Sequence, residues 1–338
     1  MTDRPLQPPH VFGLDPARFA ELDAEAGPRL DYRTLFRPGP PAAQVAAWAA
    51  ARGLRLAALR PLGRQVHGLS EKSLFGLEDG YAVESVLIRR RDGHTACISS
   101  QVGCAFGCRF CASGQAGLKR NLERGEIVEQ VLRLGSRVNR IVFMGIGEPL
   151  NNYDNVLGAI RILRDRRGLD FPTTGITLST IGIPKALKAL REEHLGINLA
   201  ISLHATTDEV RAGLIPGSRR HSLAEVVERA LSWGRRHNRV VTFVYLLLPG
   251  INDSAADLQR LAGLLAGGPA RVNLMRWNAV DGLDFRRVPD RTLQTFRAGL
   301  DRAGIAVAVR DTRGQPIDAA CGQLWLRTTR GAAVARAA

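Results

Sequence analysis

The 338-residue sequence contains no apolar run of membrane-spanning length, so no helix is expected to cross a bilayer. A secretory leader is not expected either, because residues 1–9 are polar and rich in proline. The expected compartment is the cytoplasm, where cysteines bind metal or catalyse more often than they form lasting disulfides. Internal repeats and long low-complexity stretches are lacking as well, which argues against a solenoid or a largely disordered chain. Lysine is scarce: of 47 basic residues only Lys72, Lys119, Lys185 and Lys188 are lysine, the rest arginine. The net charge of +15 favours a polyanionic partner, nucleic acid first. An arginine bias in composition would produce the same excess without any partner.

From residue 95 onward, short β-branched runs alternate with amphipathic segments. TACIS (95–99), RIVFM (140–144), GITLS (175–179), NLAISL (198–203), VVTFVYLLL (240–248), RVNLM (271–275) and IAVAVR (305–310) read as strands. Between them, segments such as EIVEQVLRLGSRV, NVLGAIRILRD, LAEVVERALSWGRR and AADLQRLAGLLA place apolar residues at i, i+3, i+4 and i+7. Ser222 followed by Glu225 has the pattern of a capping box. Strand–helix alternation of this kind predicts parallel strands covered by helices. The fold class expected is α/β, a partial (βα)6 TIM-like barrel with a small N-terminal accessory region, its chemistry at the C-terminal ends of the strands. The expected organisation is an accessory helical region at 1–72, a β-hairpin lead-in at 73–94 turning at Glu78-Asp79-Gly80, the core barrel at 95–325 and a disordered tail at 326–338.

Four of the five cysteines fall within fifteen positions: Cys97, Cys104, Cys108 and Cys111. The last three form C-x3-C-x2-C in GCAFGCRFC, a Gly-containing loop that lets three thiolates converge. Three ligands on a four-iron cluster leave one iron open for a substrate or cofactor. A structural zinc site prefers four ligands in paired C-x2-C units, and a ferredoxin repeats C-x2-C-x2-C in a short chain; neither pattern is present, although Cys97 or Cys321 could serve as a fourth ligand. Phe110, just before the third cysteine, adds to the iron–sulfur reading. An open iron can be chelated by the amino and carboxylate groups of S-adenosylmethionine (SAM), which the reduced cluster can cleave to a carbon radical. MGIGEPLNN (144–152) follows a strand, and its glycines allow close backbone approach to a ligand. Glu148 there can accept from the SAM ammonium. Ser179, Ser202, His204 and Asn278 stand near the ends of later strands as candidate ribose and carboxylate contacts. Each has a plain alternative reading: a surface glutamate, or a hydrogen-bonded structural residue.

Together, CISSQVGCAFGCRFCASGQAGLKRNLERGEIVEQVL, MGIGEPLNNYDNV, LSTIGIPKAL, NLAISLHA, LLPGINDS, NLMRWN and IDAACGQL resemble the RlmN/Cfr family of radical SAM RNA adenine methyltransferases, over residues 73–325 or so. The resemblance implies a [4Fe–4S] cluster on Cys104, Cys108 and Cys111. It implies SAM contacts from Gly147, Glu148, Ser179, Ser202, Leu203, His204 and Asn278. It further implies that Cys321 carries a methyl group from a first SAM, that Glu84 accepts the ring proton, and that Cys97 resolves the RNA adduct through a transient disulfide with Cys321. Such parts suit the chemistry: the C2 and C8 carbons of adenine are not nucleophilic, so a radical must add, a base must take the ring proton and a thiol must break the covalent tie. The implied substrate is 23S rRNA, and tRNA as a second target. The implied partners are an electron donor such as flavodoxin or ferredoxin, with no membrane and a monomeric enzyme. Alternatives are a radical SAM enzyme of another substrate class and a non-catalytic iron–sulfur RNA-binding protein. Two departures stand out: the Pro-rich N-terminal region does not match the family's helical accessory domain, and LIPGSRRHSL (214–223) replaces a Pro-(Ile/Val)-Asn-x-x-Tyr stretch.

Overall fold

A computed structural model describes residues 8–37, 42–56, 59–280 and 282–310. Cys321 and the expected tail at 326–338 lie outside the described residues. The chain divides into two compact units, one built from Met1–Val102, Asn121–Gly145 and Asn152–Ile176, the other from Gly103–Arg120, Ile146–Asn151 and Thr177–Ala338.

The first unit opens with helices α1 (Pro16–Asp23) and α2 (Ala43–Ala51). Asp15 caps α1 by accepting from the Arg18 amide, and proline at the first helical position costs no hydrogen bond there. Phe19 stacks on Trp48 with centroids 4.8 Å apart and meets Tyr32 edge-on at 5.1 Å. Three antiparallel strands follow: β1 (Arg60–His67), β2 (Ser70–Gly76) and β3 (Ala82–Ile88). The stretch up to residue 72 is therefore not wholly helical, since β1 and the start of β2 lie in it. β1, of sequence RPLGRQVH, is an exposed edge strand whose two large apolar residues, Leu62 and Val66, stand four apart, so it lacks the alternating apolar pattern by which strands are read from sequence. Next, β4 (His94–Cys97) pairs antiparallel with β3, and short strands β5 (Gln101–Val102) and β6 (Arg120–Asn121) stand at either end of the cysteine loop. Helix α3 (Arg124–Leu134) is started by a capping box between Glu123 and Glu126. Then come β7 (Val138–Phe143), parallel to β4, and α4 (Tyr153–Arg164), whose buried face packs on α3.

The second unit is a regular strand–helix alternation. Strands β8 (Ile176–Thr180), β9 (Asn198–Ser202), β10 (Val241–Leu247), β11 (Ala270–Arg276) and β12 (Ala306–Arg310) pair in that order, all parallel. The intervening helices are α5 (Pro184–Leu190), α6 (Asp208–Leu214), α7 (Leu223–His237), α8 (Ala255–Leu265) and α9 (Asp290–Arg302). In α7, Leu223, Val226, Val227, Ala230 and Leu231 form one buried stripe, as a 3.6-residue period requires. All seven strand segments read from the β-branched runs form. The Ser222–Glu225 capping box does not: Ser222 is the N-cap but its side chain makes no capping bond. Instead, the Leu223 amide donates to Asp208 Oδ1 at 2.6 Å, so a distant carboxylate takes over the local cap. In α8 the box is made, between Ser254 and Asp257.

Candidate cluster and cofactor site

Cys104, Cys108 and Cys111 all lie on one loop of the second unit, half-buried. The loop is closed on itself by its own backbone. The Cys104 amide donates to the Gly117 carbonyl at 3.2 Å, and the Cys111 amide to the Cys108 carbonyl at 3.1 Å. Gly103 makes the closure possible: at φ +76° its missing Cβ would stand 1.8 Å from the Gly117 oxygen, so no other residue fits. The loop is also pinned from outside. Trp277 Nε1, just past β11, donates to the Phe110 carbonyl at 3.2 Å, and the His204 ring, just past β9, meets the Phe110 ring edge-on at 4.9 Å. The Arg109 amide donates to the Leu214 carbonyl at 2.9 Å, and the Gly217 amide to the Phe106 carbonyl at 2.9 Å. Within LIPGSRRHSL, a Cβ on Gly217 would come within 2.7 Å of Phe106 Cα, so the close approach of the two backbones requires glycine there.

The three sulfurs face one another electrically. Burial, with Glu148 and Cys111 adding repulsion, pushes the Cys104 thiol up to about 12. Burial and then the charges of Cys111, Cys104 and Glu148 push Cys108 well above the ordinary thiol range. Without metal these are neutral thiols; iron would displace their protons. Among the described residues no three His, Cys, Asp or Glu side chains converge on a point that a single metal ion would fill. A cluster does not require that, because each thiolate binds its own iron and the sulfurs stand apart by the width of the cluster. A cavity of about 420 Å³, lined by Cys108, Arg109, Gln115 and Leu283 to Phe285, opens at the loop. That volume lies in the range of small-molecule and cofactor sites. Three thiols on one short loop beside such a cavity fit a cluster with one open iron.

Glu148 is 3% exposed and holds several groups inside the second unit. Its Oε1 accepts from the Leu150 amide at 3.0 Å and from the Thr180 hydroxyl, and its Oε2 from the Ile181 amide at 2.9 Å. Burial outweighs these bonds and raises its carboxyl to about 7. Gly147 beside it has φ +106°. Ser179 and Ser202 share one face of the sheet, since Ser179 pairs with Ala200, two residues before Ser202. Leu203 is fully buried. His204 sits at φ +56°, with Nδ1 accepting from the Leu246 amide at 3.0 Å. Burial, reinforced by Arg211, drops its pKa to about 3, so the ring is neutral and Nε2 carries the proton. Asn252, from LLPGINDS, fixes this corner: its Nδ2 donates to the carbonyls of His204 and Leu246, each at 2.7 Å. Asn278 follows β11 and is half-buried.

Glu84 and Cys97 belong to the first unit. Cys97 on β4 pairs with Val86 on β3, and Glu84 is two residues from Val86, so both side chains stand on one face. Lys72 on β2 also pairs with Val86, and its Nζ lies 3.4 Å from Glu84 Oε1. Three residues with an evident part in these sites were not legible beforehand: Lys72, Thr180 and Arg211. Only tertiary pairing brings them there, and no local spacing signals it.

The Radical SAM superfamily model matches residues 98–262. A "Probable RNA methyltransferase" of Rhodopseudomonas palustris is 69% identical over 95% of this chain and 89% of its own length. The "Probable dual-specificity RNA methyltransferase RlmN" of Moorella thermoacetica is 45% identical over 79% of each chain. The chain belongs to the RlmN family of radical SAM methyltransferases. The crystal structure of a radical SAM methyltransferase from Sphaerobacter thermophilus superposes with a TM-score of 0.86 at 36% identity, covering 94% of this chain and 99% of that one. Membership of the RlmN family carries a [4Fe–4S] cluster and SAM as cofactors. The family's radical SAM fold is the α/β arrangement of mostly parallel strands described above. No helix among the described residues is long and apolar enough to cross a membrane.

Proposed function

We propose that this protein methylates a ring carbon of adenine, C2 or C8, in 23S rRNA and in tRNA, through a methyl-cysteine relay. The observation that carries the reading is the shared face of β3 and β4: a carboxylate, Glu84, and a thiol, Cys97, are diagonal neighbours, with the Lys72 cation 3.4 Å from the carboxylate. A relay of this kind needs a base and a resolving thiol together. Relatives named as dual-specificity RNA methyltransferases support an RNA substrate, as does the net charge of +15.

In this reading Cys104, Cys108 and Cys111 hold the cluster, and Gly147, Glu148, Ser179, Ser202, Leu203, His204 and Asn278 surround SAM. When bound, the cluster and SAM supply the electron and the carbon radical that make hydrogen abstraction possible. Cys321 carries the methyl-derived carbon and brings it to the adenine ring. Glu84 then takes the ring proton, the adduct's unpaired electron would return to the cluster that supplied it, and Cys97 attacks the Cys321 sulfur, leaving a disulfide and releasing RNA whose new methyl carbon takes up a proton. That disulfide must be reduced before the next cycle. The electron donor is a flavodoxin or ferredoxin, and the enzyme acts as a cytoplasmic monomer.

The test is a denaturing gel of variants purified from cells, with and without ribonuclease. Cys97→Ala should run as a ribonuclease-sensitive adduct, because addition proceeds and resolution does not. Cys321→Ala and the double variant should run as free protein. A Cys97→Ala protein that runs free and methylates RNA at the wild-type rate would refute the relay.

A further inference from the structure

One charge on the face that carries Glu84 and Cys97 has no task in the relay. Lys72, on β2, pairs with Val86 of β3, and Val86 pairs with Cys97 of β4. Residues directly opposite one another point to the same side of a sheet. Lys72, Val86 and Cys97 therefore form one row across three strands, with Glu84 two residues along β3 on the same face. The outer backbones of the row stand roughly 10 Å apart, two strand spacings, and the flexible lysine stem reaches inward over Val86. Its Nζ lies 3.4 Å from Glu84 Oε1, the two side chains being 11% and 3% exposed. Cys97 is buried as well.

The other charges around β4 are engaged elsewhere. Glu71 alternates with Lys72 along β2 and so faces the opposite side, where Arg64 and Arg89 donate to it. His94, at the start of β4, accepts from the Arg90 amide at 3.4 Å. Arg140 on β7 pairs with Thr95 and forms an ion pair with Asp92 at 2.7 Å. Helix α3 covers the opposite face, since its Gln130 accepts from Ser85 at 2.8 Å. Glu126 and Glu129 of α3 therefore lie behind the sheet, the latter bonded to Arg133. Among the described residues of β2, β3 and β4, the ionisable groups that share the face of Cys97 are Lys72 and Glu84.

We propose that Lys72 couples the last two steps of the relay, balancing Glu84 until the ring proton is taken and then stabilising the Cys97 thiolate. While Glu84 is ionised, its charge offsets the ammonium and Cys97 keeps its proton. Once Glu84 has taken the ring proton, the negative charge beside Nζ is gone. A cation shielded from water favours an anion nearby, and a thiol next to a lysine ionises more readily. The Cys97 thiolate then attacks the Cys321 sulfur. An S–S bond forms and the S–C bond breaks. Its electron pair goes to the carbon attached to the ring, which takes up the proton that Cys97 released. The two sulfurs are oxidised by the carbon they reduce, so no outside oxidant enters. The order also protects Cys97, because a neutral thiol is a poor nucleophile toward the sulfonium of SAM. Lys72 acts through its neighbours and not on RNA, which makes it a positioning residue. The inference rests on the relay proposed above.

The experiment uses full-length protein with its cluster reconstituted and no RNA. Glu84→Gln copies the neutral, protonated carboxyl. Glu84→Gln/Lys72→Met then removes the cation; taking away both members of a buried pair is the change such pairs tolerate best. Modification of Cys97 by methyl methanethiosulfonate is followed from about pH 6 to about pH 10, by the mass of the peptide that contains it. The midpoint of the profile reports ionisation of the thiol, and a change in access moves the plateau instead. Glu84→Gln should have its midpoint about one pH unit below the double variant, on the order of 10-fold more thiolate at pH 7. Wild type, whose two charges offset each other, should lie with the double variant, and Glu84→Gln/Lys72→Arg with Glu84→Gln. Coincident midpoints for Glu84→Gln and the double variant would overturn the role of Lys72. Should the double variant fail to fold, Glu84→Gln/Lys72→Gln decides by the same criterion. Purified from cells, Lys72→Met should carry a ribonuclease-sensitive adduct and Lys72→Arg little. A Lys72→Met protein free of adduct, where Cys97→Ala carries it, also overturns the coupling. Absence of adduct from Cys97→Ala overturns the relay itself, an outcome distinct from any result of the thiol titration.

Discussion

Two glycines in the cysteine loop have similar backbone angles and opposite surroundings, which makes a sharp test of how the loop is built. Gly103 has φ +76° and its Cβ position lies 1.8 Å from the Gly117 oxygen; Gly107 has φ +60° and nothing within 4 Å. Alanine at either position pays for the left-handed conformation, about 1 kcal/mol. At Gly107 that is the whole cost. At Gly103 the new methyl falls on the carbonyl that accepts the Cys104 amide at 3.2 Å, so the two strands of the loop must part. The lost bond adds about 1 kcal/mol and the displaced, partly buried groups about another 1 kcal/mol. The total is ~3 kcal/mol against ~1 kcal/mol, and the ~2 kcal/mol difference is roughly 30-fold in the population of closed loop. Because closure is what brings Cys104 toward Cys108 and Cys111, the difference should appear in cluster assembly. Under limiting iron and sulfide, Gly107→Ala should take up nearly as much iron per chain as wild type, and Gly103→Ala a small fraction of it. Equal uptake by the two variants would show that the Gly103–Gly117 contact does not govern the ligand geometry.

Alanine at Cys104, Cys108 or Cys111 should abolish the reconstituted [4Fe–4S] chromophore, whereas Cys97→Ala and Cys321→Ala should keep it; loss of iron in either of the latter would overturn the ligand assignment. The carboxyl of Glu148, raised by burial to about 7, should make the metal-free protein less stable as pH rises. The sign follows from proton binding: the folded chain holds this proton more firmly than the unfolded chain, so the contribution is full below about pH 4.5 and is lost through about pH 7. His204, lowered to about 3 by burial, works in the opposite sense, so the difference in urea midpoint between wild type and Glu148→Gln isolates the effect. That difference should decline from pH 5 to pH 7.5, and a flat line would contradict the assigned burial cost. RNA affinity should fall steeply with salt and weaken when the exposed pair Arg219 and Arg220 is changed to glutamine; salt-insensitive binding would leave the net charge as a compositional feature.

What could be read from the sequence and what could not divide along the range of the interactions involved. The parallel strands were legible because each is a compact β-branched run, and the cysteine loop because Cys104, Cys108 and Cys111 lie within eight positions of one another. β1 was not, since an exposed edge strand that contains proline and glycine and has only Leu62 and Val66 as large apolar residues carries no apolar alternation. Seven-residue α6 was too short to show a period, and the Ser222 cap was misread because the group that satisfies Leu223 is Asp208, fifteen residues earlier.

The same distinction sorts the motifs themselves. Asn252 in LLPGINDS belongs to a segment that marks the family, and such a segment invites a ligand-binding role. Its side chain is fully buried and spent on protein: Nδ2 on the carbonyls of His204 and Leu246, Oδ1 on the Leu248 amide at 2.7 Å. It holds the backbone of His204, which sits at a positive φ uncommon for a residue other than glycine, and so places the ring against Phe110 of the cysteine loop. Arg211 is the converse, a residue with no motif to mark it and two nitrogens left over. Sequence patterns locate segments that must be kept, and only the inventory of hydrogen bonds separates residues that build the site from those with capacity left for a ligand.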